Sequence, residues 1–65
     1  MSFTGRRLRQ LRGNRTRQAV ARDLGITVEA LRAYEQGKRV PRDEVILRAA
    51  MYFRVPANFM RPVRR

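Results

Sequence analysis

Sixty-five residues can enclose one small core, near the lower limit at which a chain folds without disulfides or a metal. There is no cysteine and no histidine, which excludes a disulfide framework, a Cys/His zinc site and a nucleophile served by a histidine base, so neither an enzyme nor a cofactor or metal is expected. Sixteen Lys and Arg against five Asp and Glu give a formal net charge of +11, and that much positive charge on so small a body favours a polyanionic partner.

The elements can be taken in chain order. The first helix is expected from about Gly5 to Arg12, capped by Thr4, with Leu8 and Leu11 inward at i, i+3 and Phe3 as a staple. Gly13-Asn14 ends it. The second starts after Thr16 and buries Val20, Ala21 and Leu24. Gly25 can take positive φ at no steric cost and stop that helix, Ile26 dips into the core, and Thr27 N-caps the third helix, Val28 to Gln36. Ala21 is small where the second and third helices would cross. The third helix buries Leu31 and Tyr34 and is ended by Gly37. A fourth helix begins after Pro41 with Ile46, Ala49, Ala50 and Phe53 inward. Pro56 then opens a short fifth helix carrying Phe59 and Met60, followed by a basic tail, Arg61 to Arg65. No apolar run resembles a signal peptide or a membrane span.

Thr16, Val20-Ala21, Leu24-Gly25-Ile26-Thr27, and Tyr34-Glu35-Gln36-Gly37 followed by Pro41 stand in a register that resembles the phage repressor and Cro-type (XRE) helix-turn-helix family. The resemblance reaches back to Gly5–Arg12 and forward to Ala50, Phe53, Val55 and Phe59. It implies an all-α fold, a compact five-helix lambda-repressor-like domain over residues 1–65 in which the second and third helices form the helix-turn-helix. Four departures stand out. The corner between Arg12 and Thr16 is about two residues shorter than is usual in such chains. Arg15 stands where the family commonly buries a leucine, and Arg17 where it carries a glutamine. Arg54 replaces the usual glycine before Val55, so it must take a left-handed conformation or the fourth helix must end differently.

The resemblance also assigns roles. Val28, Glu29, Arg32 and Ala33 inherit the positions that meet base edges in the major groove. Arg32 has the donors for guanine, Glu29 the acceptor for cytosine, and Val28 or Ala33 the surface for a thymine methyl. Glu29 equally suits the helix dipole, and Arg32 equally suits a phosphate or solvent. Arg17 and Gln18 at a helix N-terminus, and Lys38, Arg39 and Arg42 after the third helix, are the candidate phosphate contacts. Arg12 is the expected partner of Glu35 in a structural ion pair between the first and third helices. Tyr34 is read as core rather than as a stacking platform.

Val45, Met51, Tyr52, Phe59 and Met60 form an apolar surplus and are the candidate interface of a homodimer that would place two recognition helices one DNA turn apart. The function expected is that of a phage or bacterial Cro/repressor-like regulator of transcription, binding a near-palindromic double-stranded operator in the cytoplasm of a bacterial host. No membrane and no small-molecule ligand are expected. The alternatives are an antitoxin or protein-interaction module of the same fold, and an excisionase-like architectural DNA-binding protein, although the β-hairpin of a winged helix is not found.

Overall fold

In a computed structural model that describes residues 3–61, the chain forms five helices: α1 (Phe3–Arg12), α2 (Arg17–Leu24), α3 (Val28–Glu35), α4 (Asp43–Phe53) and α5 (Ala57–Met60). No strand occurs among the described residues. Helix α1 packs on α3 and α5, α2 on α3 and α4, and α4 on α5. The resulting core holds Leu8, Val20, Ala21, Leu24, Leu31, Tyr34, Ile46, Ala49 and Met60. The inward stripes expected for α2 and α3 are thus the buried ones. Ala21 is fully enclosed, so the close approach of α2 to its neighbours rests on a methyl group where a larger side chain would not fit.

Several positions differ from their sequence reading. Thr4 is not a cap. It lies inside α1, buried, and its Oγ1 donates to the Met60 carbonyl at 2.8 Å, tying the start of α1 to the end of α5. Phe3 is exposed rather than stapled, with the Arg7 guanidinium 4.9 Å from its ring centre and 4.2 Å from that of Phe59. Helix α4 turns Phe53 only partly inward. Pro56 precedes α5 as its N-cap residue instead of lying in its first turn.

Two members of the expected dimer surface, Val45 and Met60, are core residues. Met60 has no exposed area at all, because the sharp turn before α5 folds that helix back over α1 and α4. The exposed apolar side chains on α4 are Met51, one of the expected residues, and Leu47, which was not among them, while Tyr52 and Phe59 are half-buried. The basic tail lies outside the described residues except for Arg61, whose Nη2 is 3.4 Å from an Asp43 carboxylate oxygen.

The two departures at Arg15 and Arg54 each have a structural outcome. Arg15 is exposed, and its guanidinium stands 5.6 Å from the ring centres of both Tyr52 and Phe53, so a cation covers an aromatic pair where an aliphatic side chain was expected. Arg54 adopts φ 58 and ψ 47, and with that left-handed residue the Val55 N–H reaches back to the Ala50 carbonyl at 2.9 Å. Helix α4 therefore ends as a glycine would end it, at a backbone cost that glycine would not carry.

Candidate nucleic-acid interface

The segment from α2 to α3 is built by local rules. The Thr16 hydroxyl accepts from the Ala19 N–H at 3.1 Å and starts α2. At its end Gly25 sits at φ 73, where its own N–H meets the Arg22 carbonyl and the Ile26 N–H meets the Ala21 carbonyl at 2.9 Å. Two residues later the Thr27 hydroxyl accepts from the Ala30 N–H at 3.0 Å and starts α3. Three residues thus close one helix and open the next, and the Gly25 and Ile26 N–H groups and the Thr27 carbonyl, bonded to the flanking helices, fix the angle between them.

Helix α4 braces this turn from outside. Arg48 Nη1 donates to the Leu24 carbonyl at 2.8 Å, and its Nη2 is held by Glu44 at 3.0 Å. A Cβ added to Gly25 would lie 3.2 Å from that same Nη1. The Tyr52 hydroxyl donates to Asp23 at 2.7 Å, a second tie between α4 and α2. That bond to a carboxylate raises the tyrosine pKa above its usual 10.0, helped by desolvation. Tyr52 is therefore already engaged, with Asp23, Phe53 and Arg15, and is only partly free to serve as interface.

Glu35 anchors the inner side of α3. Its carboxylate is 2% exposed and receives Arg12 Nε at 2.8 Å and Arg12 Nη2 at 3.1 Å, a two-point pairing between α1 and α3. The expected ion pair is present. A third donor was not foreseen: Arg17 Nε, from the first turn of α2, also reaches Glu35 at 3.1 Å. One carboxylate therefore joins three helices through two guanidiniums. Arg17 remains about one-third exposed, and it is a strut of this triad as well as a candidate phosphate contact.

On the outer side of α3 the structure brings the four candidate base-reading residues together. Glu29 and Arg32 are exposed, and neither has a side-chain partner among the described residues. Val28 and Ala33 flank them, half-buried, with Val28 leaning on the core. Gln36, exposed at the C-cap, continues the line of Val28 and Arg32 at four-residue spacing. Its amide matches the donor and acceptor pattern of adenine, and the register alone was enough to find it.

Charge brackets this face. At one end the Arg17 and Gln18 N–H groups at the start of α2 have no acceptor among the described residues, and Gln18 is exposed. At the other, Lys38, Arg39 and Arg42 are all exposed in and after the loop that leaves α3. Arg39 differs from its neighbours because its guanidinium lies 5.6 Å from the Tyr34 ring centre. Val40, 77% exposed between these cations, is an apolar side chain that the sequence reading passed over.

No helix among the described residues is long and apolar enough to cross a membrane. Comparison with curated proteins and with solved structures finds no match. Residues 4–61 match the family described as a helix-turn-helix domain, which covers most of the chain and implies DNA binding by a typically non-enzymatic fold. This chain belongs to that helix-turn-helix family.

Proposed function

We propose that the protein is a sequence-specific regulator of transcription of the repressor/Cro type, which occupies a double-stranded operator by laying α3 in the major groove. The observation that carries this reading is that Glu29 and Arg32, on a helix capped at its start by Thr27, have no side-chain partner among the described residues and have cations on either side of them. A positive flank attracts the phosphate backbone without regard to sequence, whereas groups presented to base edges discriminate. Arg32 donates to guanine, Glu29 accepts from cytosine or complements the α3 dipole, Val28 and Ala33 offer apolar contact, and Gln36 extends the line. Arg17, Gln18, Lys38, Arg39 and Arg42 hold the backbone. Two copies on a near-palindrome would place their α3 helices one turn apart, and the site of action would be cytoplasmic DNA in a bacterial host.

Selection of bound duplexes from a random pool tests this directly, and a near-palindrome with half-sites about 10 base pairs apart is the expected product. On the selected site, Arg32→Ala should change preference at one position and cost about 1–3 kcal/mol there. Lys38→Ala and Arg42→Ala should instead weaken all duplexes alike and lower the salt dependence by about one unit of log–log slope each. Enrichment of no sequence, or equal losses on selected and random DNA for all three variants, would reject sequence-specific readout by this face.

A further inference from the structure

Two side chains of α4, Arg48 and Tyr52, stand one helical turn apart and grip the last two residues of α2. Arg48 Nη1 donates to the Leu24 carbonyl at 2.8 Å, and the Tyr52 hydroxyl donates to Asp23 at 2.7 Å. No backbone N–H reaches the Leu24 carbonyl among the described residues, so the arginine caps the C-terminal end of α2, where a cation also suits the helix dipole. The guanidinium is itself held, because Glu44, one turn back on α4, accepts from its Nη2 at 3.0 Å. Helix α4 is in turn seated by Val45, Ile46, Ala49 and Ala50, all buried.

We infer that Arg48 and Tyr52, given the proposed reading of bases by α3, are positioning residues for that reading: they set the direction in which the turn launches α3, and so determine how sharply the protein discriminates one sequence from another. The C-terminal end of α3 is fixed separately, by Glu35 to Arg12 of α1 and Arg17 of α2. Its N-terminal end, with Val28 and Glu29, begins directly after Gly25, Ile26 and Thr27. That turn continues from the end of α2, which α4 grips. One tie would leave the end of α2 free to pivot, whereas two ties a turn apart on α4 remove that rotation.

A small change in that direction acts differently on the two kinds of DNA contact. Base edges are read by donors and acceptors that must be placed to within about 0.5 Å. Phosphates are met by long, adaptable side chains, here Lys38, Arg39 and Arg42, which can follow a small rotation of the helix. Loosening the grip therefore lowers affinity for the preferred duplex and leaves that for a random duplex nearly intact. Glu44 separates this effect from plain electrostatics. It is an acid in a protein of net charge +11, so charge alone makes its removal favourable to binding any duplex. As the holder of Arg48, it acts in the opposite sense on discrimination.

The experiment measures affinity across salt for the duplex selected from a random pool and for a random duplex, together with amide hydrogen exchange of the intact chain without DNA. Arg48→Met and Tyr52→Phe, each checked for wild-type helicity at the assay temperature, should lower the selected-to-random ratio by about three- to tenfold, the scale of one hydrogen bond, with the salt slope unchanged. Tyr52→Phe alters no charge at neutral pH, so its effect is not electrostatic. Glu44→Ala should raise affinity for the random duplex and still lower the ratio. Exchange should quicken at Gly25 and Ile26 in Arg48→Met while the α1 amides keep their rates, an outcome that general destabilisation does not give. Wild-type ratios in both Arg48→Met and Tyr52→Phe, or unaltered exchange at the turn, overturn the inference. So do equal losses on both duplexes with a slope lowered by about one in Arg48→Met, the mark of a direct phosphate contact. A wild-type chain that enriches no sequence rejects the proposed function itself and this inference with it, whereas enrichment with unchanged variants rejects the inference alone.

Discussion

Replacing Glu35 with alanine removes the carboxylate that joins α1, α2 and α3. Arg12, whose side chain is only 11% exposed, loses two of its three charge-assisted bonds and keeps only the Arg15 carbonyl at 2.8 Å. Stranding a buried guanidinium in this way costs about 3–5 kcal/mol. Arg17 adds under about 1 kcal/mol because its exposed end can turn to water. A 65-residue domain has roughly 3–10 kcal/mol of stability in all, so the loss consumes a large share of it. At about 4–8 °C per kcal/mol for a domain of this size, Tm should fall by more than about 12 °C. Thermal and urea unfolding followed by circular dichroism measure this. The double replacement Arg12→Met with Glu35→Leu should recover most of the loss, since it leaves no buried charge. A Glu35→Ala protein melting within about 4 °C of the wild type would refute the burial argument, as would a double variant no better than the single one.

Other variants probe the turns and the brace of α4. Arg54→Gly should raise stability by about 1 kcal/mol, because φ 58 costs glycine nothing; an unchanged or lower urea midpoint would mean that the arginine side chain contributes more than its backbone loses. Gly25→Val should lower stability by at least about 1–3 kcal/mol, since a β-branched residue resists φ 73 and its Cβ would crowd Arg48 Nη1. An unfolding midpoint equal to that of the wild type would contradict this. Tyr52 supplies a pH test: its folded pKa is raised above 10.0 by the bond to Asp23, so its contribution is complete below the unfolded value and is lost as pH rises through the folded one. Tyr52→Phe should be less stable than the wild type at neutral pH and should lose less on alkalinisation. Parallel decline of the two proteins with pH would show that the Asp23 bond is not the source.

What was legible in the sequence was whatever neighbouring residues settle among themselves. Thr16, Gly25 and Thr27 punctuate α2 and α3 through bonds reaching no more than five residues, and the inward stripes of α2 and α3 follow from helical period. The face proposed to read bases is the remainder of that period, so Val28, Glu29, Arg32 and Ala33 could be named as candidates without coordinates, and Gln36 lies in the same register.

Tertiary structure alone decided which groups far apart in sequence would meet. Arg17 turns to Glu35, Arg15 covers Tyr52 and Phe53, Arg48 holds the Leu24 carbonyl, and Thr4 reaches Met60, because folding distributes the arginines among acceptors that sequence spacing does not rank. It also decided which apolar residues stay outside. A four-residue α5 has no periodicity to read, and α4 has apolar residues around much of its circumference. Only the packing of α4 on α2 and α5 shows that Val45 and Met60 are enclosed while Leu47 and Met51 face outward. Local pattern gives a helix its stripes, and the neighbouring helices determine which of them are covered.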